Sequence, residues 1–80
     1  MSNPLAVRLS KLTGQPINQA FVDSIYRRLN SRWNIPSMDP LFIAGFAELL
    51  MTQIATGKVR KPESLDEWRD AIADGAARMK

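Results

Sequence analysis

Residues 39–57 read DPLFIAGFAELLMTQIATG, and this stretch decides the fold. Asp39 is a favourable N-cap, because its carboxylate can accept from the free backbone N–H groups of a first helical turn. Pro40 would then take the first helical position, where its missing N–H costs nothing. Gly57 suits the left-handed position that ends many helices. The sequence therefore predicts a helix between Asp39 and Gly57.

This helix is apolar on almost every side. At about 100° per residue, only Glu48, Thr52 and Thr56 align as a narrow polar stripe. A helix with so narrow a polar face has to be covered by other segments. We therefore expect a nearly buried central helix over about 39–57, with residues 41–54 as the most buried part of the chain. The side chains expected inside are Phe42, Phe46, Leu49, Leu50 and Ile54.

Three amphipathic segments can supply the cover, and each has helix-terminal signals. They cover about residues 3–14, 16–33 and 64–80. Asn3 can cap the first helix, while Ser64 and Glu67 match the capping-box pattern at the start of the last. No stretch shows the alternating pattern of a strand. The sequence predicts an all-α fold, in which residues 1–80 form a single small domain of four short helices packed around the central one.

The composition excludes several kinds of protein. With 45% hydrophobic and 24% charged residues, the chain is typical of a globular protein and not of a disordered one. The first residues lack the basic start and apolar core of a signal peptide. The central helix is shorter than the roughly 20 apolar residues that span a bilayer, and it carries Glu48. We therefore expect a cytoplasmic protein that does not insert into a membrane.

Catalytic chemistry finds little support in the sequence. There is no histidine and no cysteine, so the commonest general base, the thiol nucleophile and the usual transition-metal ligands are missing. The glycines are isolated and form no phosphate-binding loop. Asp66, Asp70 and Asp74 are spaced along one ridge of a helix, whereas calcium loops need ligands on a turning backbone. Asp66, Glu67 and Asp70 lie near the helix N-terminus, where negative charge is favourable, so the structural interpretation is the stronger one. We expect no enzymatic activity, no cofactor, no metal and no small-molecule substrate.

The chain is basic, with a net charge of +3, and its charge is uneven. Residues 1–35 hold five cations against one acid, whereas residues 62–80 hold five acids against three cations. The predicted partner-binding basic edge consists of Arg27, Arg28, Arg32, Lys58, Arg60 and Lys61. Such an edge suits an acidic protein surface or a nucleic-acid backbone. Alternatively, Arg28 and Arg32 pair with Asp66 or Asp70 of the last helix and are structural.

Large apolar side chains outside the core would favour protein binding. The candidates are Trp33, Met38 and Met51, which belong to residue types that are enriched at interfaces. If three short helices do not cover the central helix, the uncovered strip is a further docking surface. We expect a small non-enzymatic helical module that binds a protein partner with an acidic surface, as an adaptor or an inhibitor, or that forms a homo-oligomer such as a homodimer. The alternative is a nucleic-acid-binding regulator of the helix-turn-helix kind.

Overall fold

The computed structural model describes residues 4–80, which form four helices and no strand. These helices are α1 (Pro4–Thr13), α2 (Gln19–Trp33), α3 (Pro40–Ala55) and α4 (Leu65–Met79). The all-α expectation with four helices is therefore confirmed. The predicted cap Asn3 lies outside the described residues.

Local hydrogen bonds explain where the later helices begin. The Asn18 side chain accepts from Phe21 N at 3.0 Å, and Asp39 accepts from Leu41 N at 2.9 Å. Ser64 Oγ accepts from Glu67 N at 3.1 Å, as the capping-box pattern predicts. Glu67 reaches back to the amide of Glu63 instead of that of Ser64, at 2.6 Å. Each cap satisfies a backbone donor that the first helical turn leaves unpaired.

The helices pack as a closed ring around one core. α1 packs against α2 and α3, and α4 packs against the same two helices. The largest fully buried side chains come from all four helices: Trp68, Leu9, Ile25, Leu29, Ile43 and Ile72. The core thus lies between the four helices and not around the axis of α3.

The position of α3 corrects one expectation. Its buried residues, Ile43, Ala44, Ala47 and Leu50, lie on one side of the helix. Phe42 and Leu49 are each 38% exposed, so the expectation that they lie inside is wrong. Leu41 is 75% exposed, and residues 41–54 are not the most buried segment. In a ring of four helices each helix faces the centre with one side only, so a helix that is apolar all round leaves its outer side uncovered.

Two other predicted core residues of α3 are only partly buried. Phe46 and Ile54 pack against the core from its edge, whereas Leu50 lies fully inside. The linker before α3 also contributes to the core. Met38 is buried, and its carbonyl oxygen accepts from the Tyr26 hydroxyl at 3.1 Å.

Candidate functional site

The outer side of α3 presents large apolar side chains to solvent. We call the group Leu41, Phe42, Gly45 and Leu49 the α3 outer face. These residues share one side because Phe42 lies three positions from Gly45, and Leu41 and Leu49 lie four positions from it, which is about one helical turn. Together with Phe46 and Met79 they line a shallow groove of about 270 Å³. Met79, at the end of α4, is 57% exposed and extends this apolar surface beyond α3.

Gly45 creates a depression in the α3 outer face. A β-carbon at this position would meet nothing within 4 Å, so open space lies over the helix backbone here. Leu41 and Leu49 stand one turn to either side of it. The result is a depression between two leucines, which is a shape that can admit a side chain from another molecule. Beyond Leu49 the same side becomes polar at Thr52 and Thr56.

A second groove continues this surface between α1 and α3. We call it the α1–α3 groove; its volume is about 610 Å³, and Leu41 lines both this groove and the first one. Its apolar lining includes Pro4, Val7 and Pro40. Arg8 and Lys11 stand along the α1 side. A groove with an apolar floor and cations along one side can bind an apolar side chain that has a negatively charged group beside it.

Arg8 is joined to α3 by an exposed ion pair. Its Nη2 lies 3.2 Å from Oε1 of Glu48, and the two side chains are 52% and 55% exposed. A pair so open to solvent contributes about 1 kcal/mol at most. Arg8 can therefore turn to another carboxylate at little cost. Lys11 is exposed and has no ion-pair partner among residues 4–80.

The predicted basic edge is interrupted at Arg28. Arg28 Nε and Nη2 donate to the two carboxylate oxygens of Asp74 at 2.8 and 2.9 Å, and Nη1 lies 3.3 Å from Asp70. The Asp74 carboxylate accepts a further bond from Trp33 Nε1 at 2.8 Å. These contacts support the structural alternative for Arg28. Its main partner is Asp74, which the sequence did not single out, and Asp70 is a second partner.

The electrostatics of this cluster follow from its geometry. The hydrogen bonds from Arg28 hold the pKa of Asp74 below its usual value, against the opposing effect of partial burial. The bond from Trp33 and the nearby charges of Arg28 and Arg32 act in the same direction. The Asp74 hydrogen bond in turn raises the pKa of Arg28. The cluster joins α2 to α4, and the guanidinium group of Arg28 is occupied by Asp74 and Asp70.

The other residues of the basic edge are exposed, and those that line hollows line two different ones. Arg27 lines a hollow with Arg28 and Arg69, and Arg69 is itself paired with Asp70 at 2.7 Å. Arg60 and Lys61, in the connection between α3 and α4, line a different hollow. Two acids, Glu63 and Glu67, line that hollow with them. Arg32 and Lys58 are exposed and line neither of these hollows.

The apolar residues that the sequence predicted to contact a partner mostly make contacts within the fold instead. Met38 is only 7% exposed and belongs to the core, so it offers no docking surface. Met51 is partly buried against the same core. Trp33 is held by Asp74, and the Arg78 guanidinium lies 5.8 Å from the centre of its ring. The exposed apolar surface comes from other residues, including Phe42 and Leu49, which the sequence predicted inside the core.

Neither a membrane-spanning helix nor an acidic cluster able to hold a metal ion occurs within residues 4–80. Instead, Asp70 and Asp74 on α4 face Arg28. Five of the seven exposed large apolar residues that the structure describes line these two grooves: Val7, Leu41, Phe42, Leu49 and Met79. No protein-family model matches the chain, and comparisons with curated proteins and with solved structures give no significant match.

Proposed function

We propose that this protein is a small, non-enzymatic, cytoplasmic interaction module that binds another protein through the α3 outer face. The observation that carries the proposal is the exposure of Leu41, Phe42 and Leu49 on one side of a single helix, next to Met79. Scattered exposed leucines are ordinary on protein surfaces, but a continuous apolar patch is typical of an interaction site.

The form of the surface supports a helical or groove-shaped partner. A rigid helix that presents apolar residues one turn apart can pack into an apolar groove or against a second helix. Such a helix is already ordered in the free protein, so binding does not have to supply the free energy of folding it. An adaptor, an inhibitor of a larger protein and a homodimer all use this kind of contact.

The charge distribution gives less support to the nucleic-acid alternative. Binding to a phosphate backbone requires several cations that are free to replace its counterions. Here the guanidinium group of Arg28 is occupied by Asp74 and Asp70, and acids line the same hollow as Arg60 and Lys61. An acidic protein remains a suitable partner for the free cations, but the apolar surface is the stronger attraction.

Affinity capture from the host cell with matched variants tests the proposal. The double variant Phe42→Ser, Leu49→Ser removes apolar area from the α3 outer face without opening the core. Leu65→Ser is the control, because Leu65 is 39% exposed and Leu49 is 38% exposed, yet Leu65 lies at the start of α4. We expect a partner that the wild type and Leu65→Ser retain and the double variant loses.

Three other outcomes of these experiments are informative. Equal capture by all three proteins would contradict the proposal, provided that all three melt as folded domains. Sedimentation of the purified wild type at several concentrations identifies a second copy as the partner if a dimer forms that the double variant does not. Retention of nucleic acid by the wild type, with loss at moderate salt, would favour the alternative instead.

A further inference from the structure

We propose that the α1–α3 groove accepts an acidic amphipathic helical segment of the partner protein. This inference rests on the proposed function and specifies the chemistry of the partner. The segment would place an apolar side chain between Val7 and Leu41 and direct carboxylates towards Arg8 and Lys11. The groove is the larger of the two apolar depressions, and it joins the α3 outer face through Leu41.

Charge complementarity identifies the partner's chemistry. Among the described residues that line the groove, two are cations and none is an acid. Lys11 has no ion-pair partner within residues 4–80, and the exposed pair between Arg8 and Glu48 is weak enough to exchange. A carboxylate brought to this rim gains attraction, whereas an ammonium group is repelled.

The apolar lining explains why the partner should be amphipathic and not merely acidic. Val7 is 41% exposed and Leu41 is 75% exposed, so both have apolar area that a partner can cover. Covering that area supplies most of the affinity, while the cations select which segment binds and in which direction. Val7 and Lys11 are one turn apart on α1, so the apolar contact and the charged contact lie side by side.

Two synthetic peptides test the inference. Each has about 15 residues, because shorter helices are marginal in water, and each carries leucines at helical spacing on one face. One peptide has glutamates beside the leucines and the other has lysines at the same positions. We expect the wild-type protein to bind the glutamate peptide at least about tenfold more tightly than the lysine peptide.

Two charge-reversal variants test whether the preference for the glutamate peptide arises in the α1–α3 groove. Lys11→Glu should weaken binding of the glutamate peptide by about fivefold. Arg27→Glu makes the same change in net charge at an exposed arginine of α2 that does not line the groove, and it should change binding by less than about twofold. Leu41→Ser should abolish binding of the glutamate peptide. All three variants are to be checked for an unchanged melting temperature.

Three results would overturn the inference. They are equal affinity for the two peptides, equal effects of Lys11→Glu and Arg27→Glu, and no measurable binding of the glutamate peptide at millimolar concentration. Any of these can occur while the captured partner is still lost on Phe42→Ser, Leu49→Ser substitution. In that case the proposed function stands and only the partner chemistry assigned to the groove fails.

Discussion

The ring of Phe46 on α3 occupies the space that Gly75 leaves open on α4. A β-carbon at Gly75 would overlap the Phe46 ring, whereas a β-carbon at Gly45 would meet only open space. A glycine inside a helix costs roughly 1 kcal/mol relative to alanine. At Gly75 that cost is offset by a close contact between α3 and α4. The two helical glycines therefore have opposite structural consequences.

Gly75→Ala should lower the free energy of unfolding. Overpacking costs about 1–3 kcal/mol, which outweighs the gain of roughly 1 kcal/mol in helix propensity. Urea unfolding measures the net effect. Gly45→Ala is the control and should stabilise the protein by up to about 1 kcal/mol. In a Phe46→Ala background, Gly75→Ala should become stabilising too, and a loss of stability there would contradict the contact.

Adjacent leucines of α3 should respond very differently to truncation. Leu50 is 3% exposed and Leu49 is 38% exposed. Leu50→Ala should cost about 2–5 kcal/mol, because it opens a cavity in the core. Leu49→Ala should cost less than about 1 kcal/mol, because the site borders solvent. Thermal or urea unfolding of the two variants checks this, and similar losses would mean that α3 is rotated from the position described here.

Asp74 should contribute to stability at neutral pH. Its folded-state pKa is lowered, chiefly by the hydrogen bonds from Arg28, so the folded state favours the ionised carboxylate. The contribution is therefore present above the unfolded-state pKa of about 3.9 and is lost as the pH falls through the lower folded-state pKa. Asp74→Asn should cost about 1–3 kcal/mol at neutral pH.

The pH dependence separates this effect from a general loss of packing. The difference between wild type and Asp74→Asn should narrow as unfolding is measured at successively lower pH. Asp23→Asn, at an exposed acid of α2 that accepts from Gln19 Nε2, serves as the comparison and should cost less than about 0.5 kcal/mol. A difference that stays constant down to the acid limit would argue against the ionised carboxylate as the cause.

Arg28 and Arg32 should differ when each is reversed in charge. Arg28→Glu places a carboxylate beside Asp74 and Asp70 and removes the hydrogen bonds that join α2 to α4, so it should lower the melting temperature clearly. Arg32→Glu should cost less than about 1 kcal/mol, because Arg32 is exposed and acts on Asp74 only through its nearby charge. The melting temperatures of the two single variants test this difference. An equal decrease in both would contradict the structural role of Arg28.

Local signals in the sequence predicted the helices well. Asp39 and Ser64 cap the helices that follow them, and Asn34, a residue type that tolerates the left-handed conformation, ends α2 with φ of 55°. Capping depends on neighbours within a few residues, so it can be recognised without knowledge of the tertiary structure. The same is true of the polar stripe at Glu48 and Thr52, which is exposed as expected.

The surface could not be predicted in the same way, because it depends on how the helices rotate against one another. The apolar residues of α3 occupy every side except the polar stripe. Leu50 lies opposite that stripe and Leu49 beside it, but the stripe does not show how far round the neighbouring helices cover α3. The partner of Arg28 was ambiguous for a similar reason, since Asp66, Asp70 and Asp74 share one side of α4. A helix that is apolar all round in a chain of 80 residues is nevertheless a usable sign that some of its area stays uncovered.

Site-specific photo-crosslinking in the host cell tests the central claim most directly. A photoreactive residue is placed at position 49 on the α3 outer face and, in a separate variant, at position 65 on α4, where the exposure is similar. The account predicts a crosslink from position 49 to one defined protein, or to a second copy of this chain, and none to that protein from position 65. Equal labelling from both positions, or labelling from position 65 alone, would contradict it.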